Sequence, residues 1–360
     1  MVQYIVQRVI LAVPVLIGIL FVTFALARLI PGDPCRAVLG ERATDKICDA
    51  FMERNGLNEP IPVQFVIYLK QILIERDLGE SFRFGRPVSE IIVERLPVTV
   101  ELALTAMIFA SFLGVILGVI SAYWHNSSID VVTMIGANLG VSVPVFVLGL
   151  ILQYVFALLL KDTFLQLPPS GRLTSGITNP PFFEVWGLAV QEGTGLHDVL
   201  AFIGNLNIFN ALLTGNGEAL LDAIKHMILP AVAVGTIPLA IIARITRASM
   251  LEVLGLDYIR TARAKGLAES GVVFKHGLSN ALLPVVTIIG LQLGFLLAGA
   301  VLTETIFNLA GLGRTLFEAI TARDYIIVQG FTLIIAVSFV LINLLVDISY
   351  AFLDPRIRLS

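Results

Sequence analysis

Long apolar runs, each interrupted by a charged or proline-rich stretch, set the pattern of this chain. Six of them are long enough to cross a bilayer, which takes roughly 20 apolar residues: approximately Val9–Ile30, Pro97–Ala122, Val131–Leu160, Met227–Ala243, Ala281–Thr303 and Tyr325–Phe352. The third and sixth exceed that need, so they are expected to tilt or to extend beyond the lipid. The fourth is short before Arg244 and carries Pro230 and Pro238, which predicts a kink. Pro144 predicts a bend in the third. The first run differs from a cleaved leader: its apolar core is longer than the roughly 7–15 residues usual there. It reads as a retained span.

Two of the intervening stretches are too long to be bare connectors. In residues 31–96, Val63–Ile74 and Val88–Arg95 read as short helices separated by Gly79, Gly85 and Pro87. Residues 161–226 hold Pro168-Pro169, Pro180-Pro181 and apolar pieces such as Val199–Ile208, expected to form a small cap or to lie along the membrane interface. The domain reading is an N-terminal membrane helix (1–30), a loop with short helices (31–96) and a core (97–360) that includes the 161–226 loop and a 244–280 loop. There is no usable internal repeat and no low-complexity segment.

Composition agrees with burial in lipid. The 360 residues are 57% hydrophobic and 14% charged, with mean hydropathy +0.89, whereas soluble domains carry about 25% charged residues. The net charge of −3 says little about partners, because membrane proteins distribute charge by side. Arg8, the basic 244–280 loop, and Arg356 with Arg358 fall on one side of a six-span chain. Lys and Arg collect on the cytoplasmic side, so both termini are expected there and residues 31–96, 161–226 and 304–324 outside.

The two cysteines, Cys35 and Cys48, both sit in the outer 31–96 loop. Two readings stand: a disulfide closing a loop of about 14 residues, contributing on the order of 3 kcal/mol in a compartment that permits it, or two unpaired small residues. No His or further Cys lies near enough to suggest a metal.

The most informative stretch runs from Arg244 to Asn280. Six Lys or Arg (Arg244, Arg247, Arg260, Arg263, Lys265, Lys275) stand there against Glu252, Asp257 and Glu269, between two apolar runs. Asp257 can cap a helix start and Gly266 suits the position just past a helix end, leaving about 12 Å of helix between them. Arg260 and Arg263 share one face at i,i+3 spacing, while Tyr258, Ile259 and Ala262 can face apolar surroundings. A second helical piece, about Val272–Leu283, leads into the fifth span. Residues of this kind form either a basic helix resting on anionic lipid or a rigid protrusion fitting a groove on a cytoplasmic protein. Thr261, Ala262, Ala264 and Gly266 are small and favour close protein contact over lipid anchoring.

Other motifs weigh less. Gly114/Gly118, Gly136/Gly140 and Gly290/Gly294 are spaced for close helix packing. Glu101 and Asp347 are the acids nearest to lipid depth, where a hydrogen-bonded structural role is the stronger expectation. His125, His197, His226 and His276 show no ligand spacing, and no HExxH, GxSxG or paired-carboxylate arrangement occurs. An ion-coupled secondary transporter, the alternative reading, would need ionisable groups at mid-membrane, and spans one, three and five have none in their central parts; an intramembrane hydrolase would need a nucleophile with a base at depth, and none is found.

DYIRTARAKGL followed by HGLSNALLPVVTIIGLQ resembles the cytoplasmic loop of permease subunits of ATP-binding-cassette (ABC) peptide importers, in particular the B-type subunit of dipeptide and oligopeptide permeases. The likeness covers nearly the whole chain: IPGDP (Ile30–Pro34), GLNEP (Gly56–Pro60), DLGESF (Asp77–Phe82), ERLPVTVELAL (Glu94–Leu104), HMILPA (His226–Ala231), TRASMLEVLGLDYIRTARAKGL (Thr246–Leu267), TETIFNLAGLGR (Thr303–Arg314), RDYIIVQG (Arg323–Gly330) and NLLVDISYAFLDPRIR (Asn343–Arg358). The general loop motif, Glu-Ala-Ala then three residues and Gly, falls on Arg260-Thr261-Ala262 and Gly266, so only the last Ala and the Gly match. The general motif's Leu-Pro falls on Leu278-Ser279.

The resemblance implies an all-α, six-span permease with both termini inside and a short cytoplasmic coupling helix between spans four and five, the type I importer arrangement. It implies that residues 257–268 seat in a groove of a nucleotide-binding subunit, with Arg260, Arg263 and Lys265 as polar contacts and Tyr258, Ala262 and Gly266 giving shape. Implied partners are a homologous second permease subunit, two ATPase subunits carrying ATP and Mg, and an extracytoplasmic peptide-binding protein, in a bacterial or archaeal cytoplasmic membrane. No cofactor in this chain and no nucleic-acid partner are expected. The chain carries no GxxxxGK phosphate loop, so it is expected to be non-catalytic. Nickel chelates and glutathione are related solutes that the same permease type could carry.

Overall fold

The computed structural model describes residues 2–29, 35–36, 43–54, 56–191, 193–298 and 300–353. The Ile30–Pro34 phrase and Arg356 and Arg358 lie outside them. The described chain folds into helices: α1 (Val2–Leu29), α2 (Asp45–Arg54), α3 (Ile61–Lys70, continued by a π turn Gln71–Glu75), α4 (Val88–Tyr123), α5 (Ser128–Ser142), α6 (Val145–Gln153, with a π segment Tyr154–Leu159), α7 (Phe182–Val185), α8 (Gly195–Gly204), α9 (Asn207–Thr214), α10 (Gly217–Leu254), α11 (Asp257–Ala264), a π-helix Gly271–Leu278 leading into α12 (Ser279–Leu297), α13 (Val301–Ile306), α14 (Leu312–Thr321) and α15 (Tyr325–Leu353). Among the described residues five helices are long and apolar enough to cross a bilayer: Ile5–Leu26 within α1, α4, α10, Gly271–Leu297, and Tyr325–Ser349 within α15. Two bent pairs, α5 with α6 and α8 with α9, reach the same measure only when joined.

Three expectations about boundaries need correction. Val88–Arg95 is not a separate helix but the first turns of α4, which runs on through Pro97. Proline lacks the N–H that would bond the carbonyl four residues back; here the Asn205 amide donates to that Val93 oxygen at 3.2 Å, so the helix continues without an orphaned acceptor. The fourth span does not stop at Ala243: α10 is one helix to Leu254 with both prolines inside it. The fifth span stops at Leu297, short of Thr303.

The α5–α6 pair, within the expected third run, bends by 97°. Pro144 opens α6 and disfavours a helical conformation for the residue before it; Val143 is extended at φ −98°, ψ 127°. α5 climbs beside α10, with Gly140 against Thr236. After the bend, α6 crosses to α13, where Gln153 donates to the Ile306 oxygen at 3.1 Å and Gly149 faces the Phe307 ring.

The centre of the molecule is the parallel pair α4 and α10. A Cβ on Gly118 would stand 2.5 Å from the Thr246 Cβ and 2.7 Å from the Ala243 oxygen, and one on Gly114 would stand 3.0 Å from Ile242. α12 and α15 pack in the same way, Gly290 against Val346 and Gly294 against Phe339. Gly136, by contrast, has open space around it. α1 lies at the edge, held by Leu20 and Phe24 against Phe65 and Tyr68 and by the Arg8–Asp347 ion pair at 3.2 Å. Cys35 and Cys48 are joined by a disulfide with Cα atoms 5.4 Å apart.

Contacts sort the helix termini into two ends. At the end away from α11, sequence phrases far apart in the chain meet. Asp324, fully buried before α15, accepts from the Ser81 hydroxyl at 2.6 Å and the Arg83 N–H at 3.0 Å. Glu101 accepts from Arg172 at 2.7 Å and from the Ile208 N–H at 2.6 Å, the structural role expected of it. Glu304, fully buried, takes the Thr99 hydroxyl at 2.7 Å and the Arg314 N–H at 2.8 Å. Gly311 fits only because it lacks a Cβ, which would stand 2.5 Å from both the Glu304 and Thr99 oxygens. Burial pushes the Glu304 carboxyl above the usual carboxylate range, against the pull of the Arg314 N–H and the Thr99 hydroxyl.

Two outcomes follow from this packing. Gly118→Val forces α4 and α10 apart and lowers stability by about 1–3 kcal/mol, read as a lower melting temperature of the purified chain, whereas Gly136→Ala leaves it unchanged; equal effects at both sites contradict the packing described. The raised carboxyl of Glu304 favours the folded state below its ordinary value of 4.5 and loses that contribution as pH rises through its folded value. Melting temperatures across pH 4–8 therefore fall more steeply on the alkaline side for the natural chain than for Glu304→Gln, and parallel curves refute the assignment.

Candidate functional site: a knob on the longest helix

α10 ends at Leu254, and after Gly255 and Leu256 the chain starts α11 in a new direction. Leu256, extended at φ −75°, ψ 152°, is the capping residue and offers no side-chain bond; Asp257 is already helical. The expected Asp257 cap is thus absent. Its carboxylate instead meets Arg260 at 3.2 Å, and still favours the positive helix start. The other end stops as the sequence predicts. Gly266 adopts φ +76°, its N–H reaches the Arg263 oxygen at 2.9 Å, and the Leu267 N–H reaches the Ala262 oxygen at 3.3 Å. This paired closure satisfies two carbonyls of the last turn.

One face of α11 is sealed. Ile259 and Ala262 are buried with Val272 of the π-helix, and Leu254 at the end of α10 packs against them. The protrusion is therefore seated on the terminal turn of α10. Tyr258 departs from its expected apolar setting: its ring is exposed, and its hydroxyl donates to the His276 oxygen at 3.3 Å. Burial of the hydroxyl raises its pKa. Thr261 bonds back to the Asp257 carbonyl at 3.0 Å.

The cations behave differently from one another. Arg260 keeps 75% of its side chain exposed, and Lys265 is exposed. Arg263 is turned onto Glu269, with contacts of 2.8 and 3.2 Å that form a forked pair. That bond holds the Glu269 carboxyl below the usual carboxylate range and raises the Arg263 guanidinium. Glu269 had no assigned role in the sequence reading, since i,i+6 is not a helical spacing; the turn at Gly266 brings it back.

Beneath the knob lies a second arrangement that sequence reasoning missed. Asp130, in the first turn of α5, is buried and accepts from Arg247 of α10 twice, at 2.8 and 2.6 Å. The Ser121 hydroxyl of α4 donates to the same carboxylate, as does the Asn126 N–H at 3.0 Å. Three helices are tied to one carboxylate, less than three turns of helix below the knob. Ser127 before Asp130 carries a helix-start signature, its hydroxyl accepting from the Asp130 N–H at 3.4 Å. Nothing local indicates Arg247, 117 residues away. Among the described residues no group of acids, histidines and cysteines is arranged to hold a metal.

The class defined by these features is a multi-pass, all-helical membrane subunit that carries a rigid, partly cationic protrusion on its longest helix. The chain belongs to the binding-protein-dependent transport permease family: residues 114–359 match its "transport system inner membrane component" and residues 1–103 its N-terminal membrane component. It is 46% identical over 358 residues to the dipeptide transport system permease protein DppB of Alkalihalophilus pseudofirmus, covering 99% of this chain and 100% of that one. It is 43% identical to the Escherichia coli protein of the same name, over 99% of each, and 36% identical to the glutathione transport system permease protein GsiC of Salmonella choleraesuis, again over 99% of each. It is a multi-pass protein of the cytoplasmic membrane.

Removing the Asp130 carboxylate leaves Arg247 and Ser121 without their partner. Asp130→Ala costs about 2–3 kcal/mol, less than the full buried-pair figure because Arg247 keeps 29% exposure. Asp130→Leu with Arg247→Met recovers most of it. Thermal unfolding of the natural chain, Asp130→Leu, Arg247→Met and the double variant closes the cycle, and additive losses would show that the pair is not coupled.

Proposed function

We propose that this chain is the membrane-spanning subunit of an ATP-driven importer of dipeptides or short oligopeptides, and that α11 is the element through which separate ATPase subunits drive it. The observation that carries this reading is the knob itself: a helix closed by Gly266, seated through Ile259 and Ala262 on the end of α10, presents Arg260 and Lys265 outward. With no phosphate loop in the sequence, the energy source lies on other chains.

In this reading α11 faces the cytosol, six spans place both termini inside, and the third span is the bent α5–α6 pair. ATP-driven closure of two nucleotide-binding subunits, which hold ATP and Mg, pulls the knob. α10 transmits the displacement to α4, switching access from one face to the other. A homologous second permease forms the other half of the route, and an extracytoplasmic binding protein delivers the peptide. The chain itself performs no catalysis. Dipeptide permeases at 43–46% identity favour peptides over glutathione, whose named permease stands at 36%.

Reconstitution in liposomes with the second permease, the ATPase subunits and the binding protein gives peptide uptake that requires ATP and each ATPase subunit. Uptake by this chain alone under an ion gradient would instead establish a secondary transporter. Within the complete system Arg260→Glu lowers ATP-dependent uptake about tenfold, the scale of losing a charged interface contact, with insertion unchanged. Arg263→Glu lowers it as well, and adding Glu269→Arg restores it by rebuilding the pair. Undiminished uptake by Arg260→Glu removes that residue from the contact.

A further inference from the structure

α1 is firmly seated at one end only. Near its close, Leu20 and Phe24 pack into Phe65 and Tyr68, with Leu333 of α15 beside them. Toward its start the contact opens, and Val9, Leu11 and Val15 are exposed. Arg8, Ala12 and Val15 recur at helical spacing on one face of α1, as do Val340, Leu344 and Asp347 on one face of α15. Those two faces line a groove of about 320 Å³. Helices in lipid are held together by van der Waals contact rather than by expulsion of water. Facing stripes that leave a gap forgo that contact unless a third body fills it.

Depth decides what that body is. Arg8 and Arg28 stand roughly 20 residues apart on α1, about 30 Å along the helix, which is the thickness of the hydrocarbon core. The groove starts at Arg8 and runs inward past Leu11, Ala12 and Val15. Its mouth therefore lies at the headgroup boundary and its floor among acyl chains, where no soluble partner reaches. The mouth carries both signs of charge. Arg8 Nη2 meets Asp347 Oδ2 at 3.2 Å, and 52% of the Arg8 side chain stays exposed. A guanidinium beside a carboxylate complements a headgroup that holds a phosphate and an ammonium, each through a charge-assisted hydrogen bond. A headgroup without the ammonium would meet Asp347 with like charge, and a choline headgroup has no N–H to donate.

We infer that this groove holds one phospholipid of the phosphatidylethanolamine class. Its phosphate accepts from Arg8, its primary ammonium donates to Asp347, and one acyl chain lies between Ala12 and Leu344. The lipid completes the contact between α1 and α15 that the two helices leave open. The inference needs only a membrane-spanning chain and stands whatever solute the transporter carries.

The test uses the complete complex in nanodiscs of equal phosphatidylethanolamine and phosphatidylglycerol, with retained lipid read by native mass spectrometry. The natural complex is expected to keep one phosphatidylethanolamine in about tenfold preference, the scale of one hydrogen bond between charged groups. Asp347→Asn removes the preference. Ala12→Phe fills the groove beside an intact ion pair and removes the lipid itself. A preference that survives Asp347→Asn, or a lipid that survives Ala12→Phe, overturns the inference. So does loss of the second permease from the Ala12→Phe complex, which would give the groove to that subunit. The natural complex supplies a check that does not depend on the variants folding: its melting temperature rises saturably with added phosphatidylethanolamine and not with phosphatidylcholine. Equal rises with the two lipids, or no rise with either, count against the site.

Discussion

Gly114 and Gly118 bring α4 so close to α10 that no methyl group fits between them. The consequence is mechanical. Two helices in backbone contact cannot slide or tilt independently, because side chains that could deform to absorb the displacement are missing. α10 in turn ends in the seat of α11, where Leu254 packs on the cluster of Ile259, Ala262 and Val272. A force on the knob thus meets no soft joint until it has passed into both central helices. Packed interiors switch between discrete arrangements in preference to deforming smoothly, and a stiff pair of this kind has two ends that must respond together.

Asp130 adds a third helix to that pair by electrostatics where the other two are joined by shape. Its carboxylate binds Arg247 of α10 in a fork and takes the Ser121 hydroxyl of α4. Such a pair contributes little net stability once the loss of hydration is counted, yet breaking it is costly. It therefore specifies register more than it adds strength. At the opposite end the same principle recurs with Glu304, held by Thr99 and the start of α14, and with Asp324, held by residues 81 and 83. Buried carboxylates tie together segments more than 200 residues apart, and the glycines beside them keep the approach open.

How much of this was legible in the sequence depends on whether the cause was local. The apolar runs announced the spans, and Gly266 announced the end of α11, because hydrophobic length and left-handed backbone are properties of single segments. α4 was cut short at Pro97 since the compensating donor, Asn205, lies 112 residues from the carbonyl it rescues. Pro144 indicated a bend, but its 97° angle depends on what α6 packs against, Phe307 and Ile306. The basic face of α11 was read as uniform; the return of the chain at Gly266, which sets Glu269 against Arg263, divides it into an engaged cation and two exposed ones. Asp130 went unnoticed beside Glu101 and Asp347 because its partner is remote and its own neighbourhood resembles an ordinary helix start.

The long helices are tied by buried carboxylates at both ends, and the path between those ties is itself informative. α15 begins beside buried Asp324 and then packs through Val346 and Phe339 on α12, whose own start is the π-helix beneath the knob. A π-helix is less regular than an α-helix and recurs at positions that rearrange; here Val272 within it is part of the knob's seat. Two routes therefore leave the knob, a stiff one through α10 into α4 and a more yielding one through the π-helix into α12 and α15. The stiff route suits the transmission of force, whereas the yielding one reaches α15 and, through it, the buried Asp324 tie at the opposite end.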